Sequence, residues 1–130
     1  MARLTVEIVT PEKRILTTEA DEIIVPGANG LFGVRPGHTP YLALMSAGVV
    51  TVMGDQPGKW FVTGGFAEVS DDQVKVLADR AEAVADIDVA AAERRLEEAQ
   101  AQAAGGSAEA QLAAQRATLE RARIAAATER

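Results

Sequence analysis

Hydrophobic and polar positions change period once along this chain. Up to Ala78 they form short segments. Leu4, Val6 and Ile8 alternate with Thr5 and Glu7, the period of two that marks a half-buried strand. Thr10-Pro11-Glu12-Lys13-Arg14 interrupts it. Ile15-Leu16-Thr17 predicts a short second strand, and Ala20 to Val25 predicts a third, stopped by Pro26, which has no N–H for a ladder. Tyr41 to Met45, Val49 to Met53, Trp60 to Thr63, Phe66 to Val69 and Val74 to Ala78 complete the set. Gly48, Gly54-Asp55-Gln56-Pro57-Gly58 and Ser70-Asp71-Asp72-Gln73 read as turns, and Gly64-Gly65 as a bulge or kink within the sheet. Many short strands at this spacing predict an antiparallel β-sandwich or barrel.

From Asp88 onward the period becomes helical. This stretch has sixteen alanines, no proline and no aromatic residue, and alanine, glutamate, arginine, glutamine and leucine all favour helix. Asp88 (or Asp86) is placed to cap a first helix whose apolar stripe is Val89, Ala92, Leu96, Ala99 and Ala103. Gly105-Gly106 ends it and Ser107 caps a second, with Ala108, Leu112, Leu119, Ala122 and Ala126 as its stripe and Gln115 breaking it. So short a link predicts an antiparallel hairpin. The fold class is therefore α+β: an N-terminal β-sandwich or barrel over residues 1–86, then a helical hairpin over residues 87–130.

Both helical stripes are thin, because alanine buries little area and a fully buried large side chain contributes only about 1.5–3 kcal/mol. Two readings follow. The plain one is a hairpin that stays docked; the other is a helix pair able to leave its resting place without melting.

Composition narrows the function. Hydrophobic residues make up 48% of the 130, enough for a core, and the absence of cysteine excludes disulfides and thiolate metal sites. A net charge of −6 argues against nucleic acid and against adhesion to anionic lipid. No apolar run approaches a membrane span, and Met1-Ala2-Arg3-Leu4-Thr5 lacks the apolar core of a signal peptide. A cytosolic chain is expected, with membrane association only through a partner.

Little catalytic chemistry is on offer. His38 is the single histidine, no Gly-x-Ser-x-Gly elbow exists, and a nucleophilic triad needs a base beside its nucleophile. His38 reads as a loop histidine, packed or bonded to backbone, rather than as a general base. Asp71-Asp72 and Glu97-Glu98 are neighbours whose side chains point apart, so they read as solvated rather than metal-binding. On the helices, Arg94, Arg95, Arg116, Arg121, Arg123 and Arg130 interleave with glutamates. A solvated face is the bland explanation. An arginine face for an acidic partner is the sharper one, since the planar guanidinium suits carboxylates.

One stretch stands apart. Val25 to Pro40 holds four of the eleven glycines, three of the five prolines and the histidine. It predicts turns rather than helix, carried as the working edge of the β domain. Its pattern, Val-Pro-Gly-x-x-Gly-x-x-Gly-Val-x-Pro-Gly-His-x-Pro, resembles the signature of the epsilon subunit of F-type ATP synthase. Gly64-Gly65-Phe66-Ala67-Glu68-Val69 and Val74-Lys75-Val76-Leu77-Ala78 resemble the same family in order and spacing, so the likeness covers nearly the whole chain.

That resemblance implies a non-catalytic central-stalk subunit on the cytoplasmic face of the bacterial inner membrane, peripheral to it. The implied partners are the gamma subunit, the c-ring and, transiently through the helices, the alpha/beta hexamer. Leu31, Arg35, His38 and Thr39 would lie on the c-ring and gamma side. Leu31 stands where the family usually carries glutamate, so apolar or backbone contact must replace a charge pair. The arginines from Arg94 to Arg123 would meet an acidic loop of the beta subunit and restrain ATP hydrolysis. Some bacterial members bind ATP through Ile/Leu-Asp-x-x-Arg-Ala. Here Ile87-Asp88 is kept but Ala91 replaces the arginine, which removes a phosphate contact. Weak or absent ATP binding and no cofactor are expected. Two other readings use the same architecture: an unrelated adaptor with a helical docking arm, and a sensor whose hairpin closes over a ligand.

Overall fold

The computed structural model describes residues 3–128 and divides into two units, Met1–Ala83 and Val84–Arg130. Among its described residues the first has nine strands: β1 (Leu4–Val9), β2 (Arg14–Gly27), β3 (Gly30–Val34), β4 (Tyr41–Leu44), β5 (Gly48–Gly54), β6 (Gly58–Thr63), β7 (Phe66–Ser70), β8 (Gln73–Leu77) and β9 (Arg80–Ala83). They hydrogen-bond in the order β4-β7-β8-β1-β2-β5-β6-β9, with β3 also on β2. All pairs are antiparallel except β1 with β8. The alternation in β1 buries Leu4, Val6 and Ile8. These meet Ile23, Val25, Val34, Val50, Val52, Val62, Val69, Val74 and Val76 in one core, the packed interior of a sandwich.

Four local expectations are revised. The two strands expected over residues 15–25 are one strand of fourteen residues that runs through Pro26. Pro26 lies opposite Leu31 on β3, while its carbonyl accepts from Ser46 N–H at 3.0 Å. The missing N–H falls on the side away from β3, so that ladder tolerates proline there. Half of the turn-rich Val25–Pro40 stretch is also strand, since β3 folds back on β2 from Gly27 to Val34. Gly64-Gly65 is not a bulge within a strand. It links β6 to β7, which belong to different pairings, and Gly65 C=O accepts from Met45 N–H at 3.0 Å. Finally, Arg80–Ala83 forms an unforeseen ninth strand. Its composition has little strand propensity, and pairing along Trp60–Thr63 of β6 overrides that.

The second unit opens with a 3-10 turn (Val84–Asp86), followed by α1 (Val89–Gln102) and α2 (Ala108–Thr128), which pack on each other. Asp88 caps α1, its carboxylate accepting from Ala91 N–H at 3.0 Å. Ser107 Oγ caps α2 by accepting from Ala110 N–H at 3.1 Å. Arg116 Nη2 donates to Gln102 Oε1 at 2.8 Å, tying the two helices together. On α1, Ala92 and Ala99 of the expected stripe are buried. On α2 the expected phase is corrected. Ala110, Ala113, Ala117, Glu120, Ala126 and Ala127 are buried; of the expected stripe Ala126 is buried and Leu119 and Ala122 are half-buried, whereas Ala108 and Leu112 are exposed. Alanines on every side leave the phase to a few large residues, and Leu112 misleads.

Candidate functional site

The turn that follows β3 is held from three directions. Arg35 to His38 forms a type II turn: His38 N–H donates to Arg35 C=O at 3.2 Å, Pro36 takes the second position, and Gly37 has φ +87° in the third. Arg35 Nε lies 3.4 Å from Glu22 Oε2 on β2. Gly37 N–H donates to Asp72 Oδ1 at 2.7 Å, across thirty-five residues of sequence. Behind the turn, Tyr41 meets Phe32 edge to face with centroids 5.3 Å apart, and His38 lies tilted 6.3 Å from Tyr41.

His38 Nδ1 lies 2.6 Å from Thr39 C=O. A carbonyl can only accept, so Nδ1 carries a proton. Leu31 projects from the neighbouring β2–β3 hairpin, 72% exposed. The structure thus brings Arg35 and His38 into one turn, with Thr39 directly after it and Leu31 on the hairpin preceding it.

Asp72 and Glu22 are the residues missed by reading the sequence. Asp72, expected to be solvated, is a structural acceptor. A turn of two aspartates after a strand hints at positive φ, and both have it, at 50° and 59°. Nothing local points from residue 72 to residue 37.

A second surface lies on the edge strand. Leu42 and Leu44 of β4 are 65% and 71% exposed, and Phe66, opposite Leu44 on β7, is partly exposed beside them. In the β7–β8 pairing, Phe66 faces Leu77 and Glu68 faces Lys75. An apolar row, Leu44-Phe66-Leu77, therefore borders a mixed row, Leu42-Glu68-Lys75. Continuous apolar sequence over Tyr41–Met45 is the signal for it, because a strand covered on one face alternates with polar residues.

On the hairpin, Arg94, Arg95, Arg116 and Arg121 are exposed. Arg123 is largely withdrawn from solvent, with Nη1 at 2.9 Å from Glu120 Oε2. Glu129 and Arg130 lie outside the described residues. The Asp88 carboxylate is occupied as a helix cap. Among the described residues no group of three or more His, Asp or Glu side chains gathers as a metal site, and no helix is long and apolar enough to cross a membrane.

The surfaces on offer are thus those of a binding protein: an exposed apolar row on a β-sandwich, a braced turn and an arginine-bearing helical hairpin. Residues 3–84 match the family described as the ATP synthase delta/epsilon chain, beta-sandwich domain. The chain is 57% identical over 131 residues to the ATP synthase epsilon chain of Myxococcus xanthus, covering 98% of this chain and 96% of that one. It is 47% identical over 98 residues to the ATP synthase epsilon chain of Anaeromyxobacter sp. (strain K), covering 75% and 74%. Its fold matches a chain of the Euglena gracilis mitochondrial ATP synthase assembly of OSCP, F1 and c-ring, with a TM-score of 0.85 at 22% identity, over 100% of this chain and 83% of that one. The chain belongs to the ATP synthase epsilon chain family.

Proposed function

We propose that the two surfaces of the β unit serve two different partners. As a member of its family the protein is a non-catalytic component of the rotor stalk. Within that role, the apolar edge of Leu42, Leu44 and Phe66 docks on the gamma subunit. The turn of Arg35, His38 and Thr39, with Leu31 beside it, meets the c-ring. The protein thereby couples ion translocation to ATP synthesis on the cytoplasmic face of the bacterial inner membrane, peripheral to it. The single observation that supports this best is the apolar edge. Monomers seldom leave a contiguous row of large side chains on an edge strand without a partner. Leu31 supports an apolar ring contact, because an exposed leucine at a hairpin tip offers burial where a carboxylate would offer charge.

The helices act as the regulatory arm. Arg94, Arg95, Arg116 and Arg121 are the outward cations for an acidic surface of the catalytic hexamer. Arg123 contributes less, since its guanidinium already holds Glu120. Co-expression with the gamma subunit of the same organism tests the docking assignment. A stable one-to-one complex is expected; recovery of the free chain alone overturns it.

A further inference from the structure

We propose that Asp72 is a positioning residue for the Arg35–Thr39 turn, its carboxylate fixing where that turn meets the c-ring. This rests on the reading of the turn as the ring contact.

The central peptide of a type II turn presents the N–H of its third residue outward, where water ordinarily takes it. Here Gly37 N–H is instead claimed by Asp72 Oδ1 at 2.7 Å, a short charge-assisted bond. Asp72 is itself immobilised. It lies in the tight turn between β7 and β8, whose last pair is Ser70 with Gln73. Its φ of 59° and that of Asp71 at 50° match the primed turn that suits a hairpin. Its own carbonyl accepts from Thr5 N–H at 2.9 Å, just ahead of the β1–β8 pairing.

A single residue therefore joins three distant parts of the chain: the start of β1, the turn after β3 and the β7–β8 hairpin. The remaining braces differ in kind. Arg35 with Glu22 is an ion pair at 3.4 Å whose carboxylate is partly buried but whose guanidinium is 77% exposed, so it restrains weakly. The bond from His38 N–H closes the turn on itself without fixing its position. Asp72 supplies the fixed reference. Without its carboxylate the turn swings between Val34 and Thr39, and a partner must order it on binding.

The test uses the full chain in complex with gamma, titrated against detergent-solubilised c-ring. Asp72→Gly keeps the positive φ and removes the acceptor, whereas Asp72→Asn keeps both the φ and an acceptor oxygen. Asp72→Gly is expected to weaken ring binding roughly threefold to tenfold, the effect of losing one charge-assisted bond that pre-orders a loop. Asp72→Asn is expected to recover most of that loss, and gamma affinity is expected to stay unchanged in both.

If Leu31→Asp weakens ring binding while Asp72→Gly does not, the contact reading stands and the anchor is overturned. If Leu31→Asp with His38→Ala leaves ring binding unchanged, the contact reading fails, and amide exchange then judges the anchor alone. Gly37 N–H exchanging about tenfold faster in Asp72→Gly, and slowly in Asp72→Asn, supports it. Equal exchange in all three chains overturns it.

Discussion

Glu120 and Arg123 form an ion pair one helical turn apart on α2, inside a stripe that is otherwise alanine. Arg123 Nη1 lies 2.9 Å from Oε2 and 3.2 Å from Oε1, and the two side chains are only 11% and 15% exposed. A carboxylate at that depth tolerates burial because its counter-charge is in place. Arg123→Met leaves it unpaired, and a loss of about 1–3 kcal/mol is expected. The double change of Glu120→Leu with Arg123→Met should recover most of that, since apolar replacement of a buried pair is often neutral. Urea unfolding followed by the helical circular dichroism signal measures both. Arg123→Met as stable as the parent would contradict the pair's importance.

Two glycines with nearly the same backbone angle should respond differently to alanine. Gly37 and Gly65 have φ of +87° and +84°. A Cβ at Gly37 meets nothing within 4 Å, whereas at Gly65 it runs into the Leu77 carbonyl and the Ala78 backbone. Left-handed geometry alone costs about 1–2 kcal/mol for alanine, so Gly37→Ala should lose roughly that. Gly65→Ala adds a backbone clash and should lose more than about 3 kcal/mol. Thermal melts of the two variants decide the order. Equal melting temperatures would refute it.

Nucleotide binding should be weak or absent. Asp88 is used as the α1 cap through Ala91 N–H, and Ala91 carries no cation for a phosphate. Titration calorimetry of ATP into the full chain is expected to show no micromolar affinity. Saturable micromolar heats would overturn this.

Most of the strands and both helix caps were legible because their signals are local. Leu4, Val6 and Ile8 alternate, and Asp88 and Ser107 sit one step before alanine-rich runs. What escaped depends on distant partners. Arg80–Ala83 becomes a strand only because β6 lies beside it. Asp72 becomes an anchor only because Gly37 is brought within 2.7 Å. The first half of the α2 stripe, Ala108 and Leu112, was misphased because alanine carries too little contrast, while Glu120, polar yet buried, occupies a position that periodicity assigns to an apolar residue. In the candidate site, Leu31, Arg35, His38 and Thr39 stood out as part of a motif, but the bracing of Arg35 by Glu22 and of Gly37 by Asp72 did not.

If the hairpin brakes hydrolysis, removing it should release the enzyme. Deletion of residues 88–130 is expected to raise ATP hydrolysis by the assembled complex about fivefold, the lower end of typical coupling between distant sites. Combined Arg94→Ala, Arg95→Ala and Arg121→Ala should reproduce part of that rise while leaving the helices formed. An unchanged rate on deletion would mean that the hairpin is no brake here.

A docking surface at the β4 edge should govern how tightly the full chain binds purified gamma subunit. Leu44→Asp places a charge at a position 71% exposed, so stability should change by less than about 0.5 kcal/mol. Binding to gamma should nevertheless fall at least about thirtyfold, the loss of a central apolar anchor. A Leu44→Asp chain that binds gamma as tightly as the parent would mean that the β4 edge is not where gamma docks.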